Sequence, residues 1–323
     1  MRAIRLAATG GPEALELVDL PDPSPGPGQV LVRQKAIGVN YIDTYHRSGL
    51  YPLRLPSGLG MEGAGEVVAV GEGVTRFSPG ERVAFASGPI GAYAELHAVD
   101  AFRAVAIPEG VDDRTAAAAL LKGMTAEFLL LRCRPVAAGE AVLIHAAAGG
   151  VGQIMVQWAK ALGAQVIATA GNTAKAARVR DLGADHVILY GEQDVAAEVR
   201  RITGGAGVPV AYDSVGAATF EGTLASLSRR GVFVSFGNAS GPPPAVEPGR
   251  LMRMGSLFFT RPTLGDYVAT TEELDASAAA VFGRIASGQI TIEIGQTLPL
   301  SQARAAHEAL EARQTVGSTL LIP

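Results

Sequence analysis

The sequence predicts an α/β protein in which a doubly wound parallel sheet follows a β-rich, barrel-type region. Three observations carry this. A glycine-rich turn, Ala148-Gly149-Gly150-Val151-Gly152, joins an apolar strand-like run to a helical one. Short apolar runs and helical patterns alternate from Ala141 to Phe236, the rhythm of a parallel sheet. Residues 1 to about 120 are instead rich in glycine and proline, with short β-type runs between turns.

Along the chain, the first β-type runs are Val30-Leu31-Val32-Arg33, Ala64 to Val70 and Arg82-Val83-Ala84-Phe85. Pro25-Gly26-Pro27-Gly28 and Ser78-Pro79-Gly80-Glu81 supply turn chemistry between them. Arg114 to Leu121 is alanine-rich and helical. Gly123-Met124-Thr125 is expected to interrupt that helix, and Ala126 to Arg132 to resume it. Strands are expected at Ala141 to His145, Gln165 to Ala170, His186 to Tyr190, Val208 to Asp213 and Val232 to Phe236. Helices are expected at Val151 to Leu162, Ala174 to Leu182, Val195 to Thr203 and Thr219 to Ser226. Beyond Pro242-Pro243-Pro244 the pattern predicts helices at Glu272 to Ser287 and Ser301 to Glu311, then a closing strand at Ser318 to Ile322.

Composition narrows the function classes. With 323 residues, 48% of them hydrophobic, the chain can bury more than one core. A net charge of -4 and the absence of a dense Lys/Arg run argue against a nucleic-acid-binding face. Cys133 is the single cysteine, so an internal disulfide is impossible, which fits a reducing, cytoplasmic compartment. The N-terminus does not continue into an apolar signal core, and no run reaches the ~18 apolar residues of a membrane span.

Phosphate binding needs bare backbone amides at a helix N-terminus, and glycine lets the pyrophosphate approach them. The run Val142 to Ile144, the glycine turn and the helix from Gln153 supply that order, so a dinucleotide is the expected ligand. The loop departs from the plain G-x-G-x-x-G form because alanine takes its first glycine position. About 20 residues on, NAD enzymes tend to place an acid for the ribose 2′-hydroxyl. Here the segment reads Thr169-Ala170-Gly171-Asn172-Thr173-Ala174-Lys175, without an acid. A small polar pocket with a lysine nearby suits a 2′-phosphate, which favours NADPH. Lys175 is equally readable as a solvated helix residue, and Tyr190 as an ordinary strand-end tyrosine.

Longer runs resemble the zinc-independent quinone oxidoreductases of the medium-chain dehydrogenase/reductase superfamily. They include Asn40-Tyr41-Ile42-Asp43-Thr44-Tyr45, Arg47 to Pro52, Gly58 to Gly65, Leu121-Lys122-Gly123-Met124-Thr125-Ala126 and His145 to Gln153. Tyr212 to Gly216, Val234 to Asn238 and Gly317 to Pro323 complete the match. The resemblance implies a GroES-like catalytic domain over 1–120, completed by 261–323. A Rossmann NADPH-binding domain would span 121–260, with the active site in the cleft and a homodimer as the assembly. It places Asn40, Tyr45 and Thr125 at the nicotinamide end and Gly149, Gly150, Val151 and Gly152 on the pyrophosphate. Gly171, Lys175, Tyr190 and Arg313 would surround the adenosine and its 2′-phosphate. Ser214, Phe236, Asn238, Phe259 and Thr260 would complete the cofactor site.

Zinc-dependent relatives supply a cysteine in the segment that here reads Gly38-Val39-Asn40-Tyr41, and a histidine where this chain has Met61 before Glu62. Asparagine and methionine are poor zinc ligands, and a structural zinc lobe would need four cysteines. Neither zinc site is therefore expected, and His46, His97 and His145 have no metal-binding spacing. Without a Lewis acid the expected acceptor is already electron-poor: a quinone, reduced by hydride or electron transfer from NADPH. Asn40 and Tyr45 would offer hydrogen bonds to a quinone oxygen. The alternatives are a reductase of α,β-unsaturated carbonyls on the same scaffold, and a non-catalytic NADPH- or RNA-binding protein.

Overall fold

A computed structural model describes the whole chain, Met1–Pro323. It divides into two compact units, Met1–Met124 with Val268–Pro323, and Thr125–Tyr267.

The second unit carries a six-stranded, all-parallel sheet. Its strands are β1 (Ala141–Ile144), β2 (Gln165–Ala170), β3 (His186–Leu189), β4 (Val208–Asp213), β5 (Leu227–Ser235) and β6 (Phe258–Thr260). Their spatial order is β3-β2-β1-β4-β5-β6. The order reverses between β1 and β4, and in such sheets ligands bind at the carboxyl ends beside that switch point. Helices α1 (Gly150–Ala161), α2 (Thr173–Asp181), α3 (Val195–Ile202) and α4 (Phe220–Ser226) make the crossovers. The central strands are apolar on both faces: Val142, Leu143, Ile144, Val166, Ile167 and Ala168 are all fully buried.

The other unit is built on a seven-stranded sheet. Gln29–Val39 pairs antiparallel with Glu62–Val70 on one side and with both Leu96–Asp100 and the C-terminal strand Ser318–Ile322 on the other. Leu6, Val30, Val32, Ile37, Val67, Phe85 and Leu321 are among its fully buried core residues. The tail therefore supplies a strand to a sheet begun near the N-terminus.

Three local expectations change. Gly123 does not interrupt the helix, which runs unbroken over Asp113–Phe128 and continues into a wider turn at Leu129–Cys133. The glycine is there for packing, since a Cβ at Gly123 would lie 2.5 Å from the Val281 side chain. The unit boundaries fall later than 120 and 260 for related reasons. The helix carries the first, while Tyr267 stacks on Phe128 at 4.4 Å and its carbonyl accepts from Arg132 at 2.6 Å. The third change is a helix at Tyr41–Ser48, inside the region read as β-rich.

Candidate functional site

Strand β1 ends at Ile144, and the chain turns through Ala146, held at a left-handed φ of 50°. Helix α1 then starts with Gly149 as its N-cap, and no side chain caps it. Its first intrahelical bond runs from Gln153 N–H to the Gly149 carbonyl at 2.9 Å. The amides of Gly150, Val151 and Gly152 thus precede the ladder and face outward with the positive end of the helix dipole. A Cβ on Gly152 would come within 2.5 Å of the Ala146 carbonyl and 2.7 Å of the Ala147 Cα. Only glycine lets the helix press this closely on the loop. Ala147, at the first-glycine position, is fully buried and donates its N–H to the Thr169 carbonyl at 3.1 Å. This is the cradle a pyrophosphate requires.

The second strand leads into the non-acidic turn. Asn172 caps α2 by accepting the Lys175 amide at 2.9 Å. That fixes Lys175 in the first turn of α2. Exposed Tyr190, just past β3, leans across: a Cβ on Gly171 would meet its hydroxyl at 2.7 Å. Gly171, Lys175 and Tyr190 therefore form one neighbourhood, with no carboxylate between 171 and 175 to repel a phosphate.

At the end of β4 the Asp213 carboxylate is buried and fully engaged. It accepts the amides of Val215 at 2.7 Å and Gly216 at 3.1 Å, and the hydroxyls of Thr219 at 2.6 Å and Thr223 at 3.0 Å. This shapes the loop bearing Ser214. Gly237 packs on that loop so tightly that a Cβ there would lie 2.3 Å from the Ser214 carbonyl. Phe236 donates its amide to the Asp213 carbonyl at 2.8 Å, which places Phe236 and Asn238 on the adjoining loop. Phe259 differs from expectation. Its ring packs on Phe233 at 5.1 Å and Phe220 at 6.3 Å, so it belongs to the core of the unit, and Thr260 follows it on β6.

Asn40 and Tyr45 lie in the other unit, as does Arg313, while Thr125 opens the second. Asn40 caps the Tyr41–Ser48 helix in a capping box with Asp43. Its amide Nδ2 donates to the Glu62 carboxylate at 2.7 Å and reaches the Gly38 carbonyl at 3.4 Å. Those two bonds use both donors, so Asn40 holds the local frame. Tyr45 is buried between the rings of Tyr41 at 5.7 Å and Tyr51 at 5.2 Å.

Sequence reasoning passed over the charges around this helix. Glu62 is fully buried; one carboxylate oxygen accepts the Leu121 amide at 2.7 Å, and the other takes the Lys122 ammonium at 3.0 Å. Asp43 accepts the Asn40 amide and the Tyr93 hydroxyl, each at 2.9 Å. Burial without a counter-charge of its own raises Asp43 to about 7 despite those bonds. Tyr93 also meets His307 at 3.1 Å, and burial together with the Arg47 guanidinium lowers His307 to about 3. Arg47 in turn pairs with Glu311 at 2.6 Å. Apart from the local Asn40–Asp43 bond, these partners lie fifty or more residues apart in sequence, which is why spacing alone could not reveal them.

No three His, Cys, Asp or Glu side chains come together in a metal-binding group. Glu62, beside the position where zinc relatives carry a histidine, instead holds an ammonium, which would repel a divalent cation.

Two family models match the chain: the alcohol dehydrogenase GroES-like domain over residues 26–109 and the zinc-binding dehydrogenase domain over 150–281. The second model's zinc-binding description is not matched by ligands here, since Asn40 and Met61 stand at the two positions. A quinone oxidoreductase from Pseudomonas aeruginosa is 52% identical over 100% of this chain and 99% of its own length. The crystal structure of Escherichia coli quinone oxidoreductase complexed with NADPH superposes with a TM-score of 0.99 at 47% identity, covering 100% of both chains. A 2-haloacrylate reductase from a Burkholderia species is 44% identical over 97% of this chain and 96% of its own. A GroES-like unit and a doubly wound unit define a medium-chain dehydrogenase/reductase, and within that superfamily the chain belongs to the zinc-independent quinone oxidoreductase family.

Proposed function

We propose that the chain reduces quinones with NADPH, using no metal. The observation that carries this is the pairing of a glycine-built helix N-terminus with an acid-free turn at Gly171–Lys175, in a chain about half identical to quinone oxidoreductases. NADPH, when bound, supplies the hydride; a quinone takes it together with a proton from solvent and leaves as hydroquinone, with NADP⁺ as the other product. The amides of Gly150, Val151 and Gly152 hold the pyrophosphate through the helix dipole. Lys175 offers a cation to the 2′-phosphate, with Gly171 and Tyr190 beside it. Ser214, Phe236, Asn238, Thr125 and the main chain of Phe259 and Thr260 line the nicotinamide end. Tyr45 shapes the acceptor side, while Asn40, committed to Glu62, fixes the helix that presents Tyr45.

The assignment gives cofactor binding to Thr125–Tyr267 and acceptor handling to the GroES-like unit. A homodimer is supported by one of the two open edges of the parallel sheet. Strand β6 pairs only with β5, Phe258 on it is 60% exposed, and Met252 just before it is 67% exposed. No helix is long and apolar enough to cross a membrane, and the lone thiol Cys133 suits a reducing cytoplasm.

The likeness to a 2-haloacrylate reductase supports a second reading, reduction of an activated alkene. A panel of quinones, enones and 2-haloacrylates, run with NADPH and with NADH beside metal analysis, separates the two. Quinone turnover with NADPH and without stoichiometric zinc is expected. Enone or haloacrylate turnover far above quinone turnover would reverse the choice, and preference for NADH would overturn the cofactor.

A further inference from the structure

His145 follows the last residue of β1 and is fully buried beneath the nucleotide loop. Its Nε2 lies 3.0 Å from the Thr223 hydroxyl, and its Nδ1 lies 3.2 Å from the Thr169 hydroxyl. The Thr223 oxygen is also 3.0 Å from the Asp213 carboxylate and 2.7 Å from the Thr219 carbonyl. Both of those atoms can only accept. The single Thr223 proton therefore points toward them, and its oxygen accepts from His145. This puts a proton on Nε2, and with burial keeping the ring uncharged the imidazole is the Nε2–H tautomer. Nδ1 is then an acceptor and takes the Thr169 proton. The Thr169 oxygen is left to accept the amide of Ala146 at 3.3 Å.

Every member of this buried chain is satisfied, and it runs in one direction: Ala146 amide, Thr169, His145, Thr223, Asp213. It starts on the residue whose left-handed backbone opens the pyrophosphate loop. It passes through the strand that leads to Gly171 and Lys175. It ends on the carboxylate that shapes the Ser214 loop. Buried polar networks specify one arrangement strongly when each group has a partner.

We infer that His145 is a positioning residue for NADPH binding, coupling the pyrophosphate loop, the 2′-phosphate turn and the Ser214 loop through this hydrogen-bonded chain. It touches no reacting atom. Its role rests on NADPH being the cofactor, and it acts by holding three parts of that site in one register. Burial keeps the ring neutral against the nearby Asp213, the one charged group it faces.

Two measurements test this. Nitrogen-15 spectra of the apo enzyme, with His145 assigned from its absence in His145→Asn, should show the Nε2–H tautomer unchanged from about pH 8 to about pH 5.5. A Nδ1–H ring, or a ring that titrates in that window, overturns the inference. Titration of NADPH into folded protein gives the second measurement. His145→Leu, which breaks both links, should weaken NADPH binding about tenfold, as expected for losing one or two neutral hydrogen bonds that order the loop. His145→Asn, whose Oδ1 can still accept from Thr169, should recover most of that loss. At a temperature well below the melting transition of every variant, where each is essentially fully folded, a loss of stability alone leaves Kd unchanged. A purely structural histidine would lower Tm in both variants and leave Kd unchanged, which would overturn the role. Wild-type protein that does not bind NADPH would overturn the cofactor reading and this role with it, and that result appears before any variant is compared.

Discussion

At the scale of single residues, the charges buried around Asn40 set the behaviour of the GroES-like unit. Lys122 and Glu62 compensate one another away from water, and Asn40 and the Leu121 amide use the remaining carboxylate capacity. Removing one partner of such a pair strands the other. Lys122→Met should therefore cost about 3–5 kcal/mol in urea unfolding, and Lys122→Met combined with Glu62→Gln should recover much of it. Asp43 has the opposite problem, because no cation pairs with it. Its folded value of about 7 lies above its ordinary 3.8, so the folded state holds a proton that the unfolded chain has released. Stability contributed by that proton is present at low pH and is lost as pH rises toward 7, then stays constant. Asp43→Asn, which keeps an acceptor for the Asn40 amide and the Tyr93 hydroxyl, should gain on wild type as pH climbs through that window. Thermal melts from about pH 5 to about pH 8 would show it. A difference that does not vary with pH would mean that Asp43 is already charged throughout. Of these groups only Asn40 stood out in the sequence, and for the cofactor end; the roles of Lys122, Glu62 and Asp43 come from neighbours the chain brings from far away. His145 is the sharpest case: its spacing spoke only against a metal site, and its partners Thr169 and Thr223 became visible only on folding.

At the scale of elements, the nucleotide loop was the most legible feature and the Tyr41–Ser48 helix the least. The loop announces itself because glycine is forced wherever backbone must meet backbone, and a Cβ on Gly152 would come within 2.5 Å of the Ala146 carbonyl. Gly152→Ala should push α1 off the loop and raise the KM for NADPH by about tenfold or more, with KM for the quinone little changed. Steady-state kinetics with each substrate varied in turn would measure this. The Tyr41–Ser48 helix was hidden because it is short and buries the polar Asp43, His46 and Arg47, leaving Tyr41 and Tyr45 as its main apolar signal at helical spacing. Its capping signature, Asn40 followed by Asp43, was the available signal. Gly123 shows the converse error. In the sequence it reads as a break, yet the helix passes straight through it, and its missing side chain makes room for Val281. A glycine marks either a special backbone angle or a close neighbour, and the two look alike before folding.

At the scale of the whole molecule, the alternation from Ala141 to Phe236 was enough to foresee a parallel sheet. The strand order β3-β2-β1-β4-β5-β6 then follows from right-handed crossovers on either side of β1. The sixth strand, Phe258–Thr260, is too short for periodicity to reveal, and it forms one of the sheet's two open edges. If that edge joins two copies, Phe258→Glu should place like charges across the junction and shift the enzyme toward monomer in sedimentation velocity. A mass unchanged by the substitution would move the contact elsewhere.

The strand Ser318–Ile322 lies antiparallel to Gln29–Val39, with Thr319 opposite Val39. That pairing imposes a timetable on the nascent chain. The nucleotide-binding unit is continuous in sequence and has all its strands once Tyr267 has left the ribosome. The GroES-like unit, whose two segments flank the nucleotide-binding unit in sequence, must wait for Ser318–Ile322 before its sheet is complete. Chains cut between Tyr267 and Ser318 would therefore carry every strand of the parallel sheet and an incomplete GroES-like sheet.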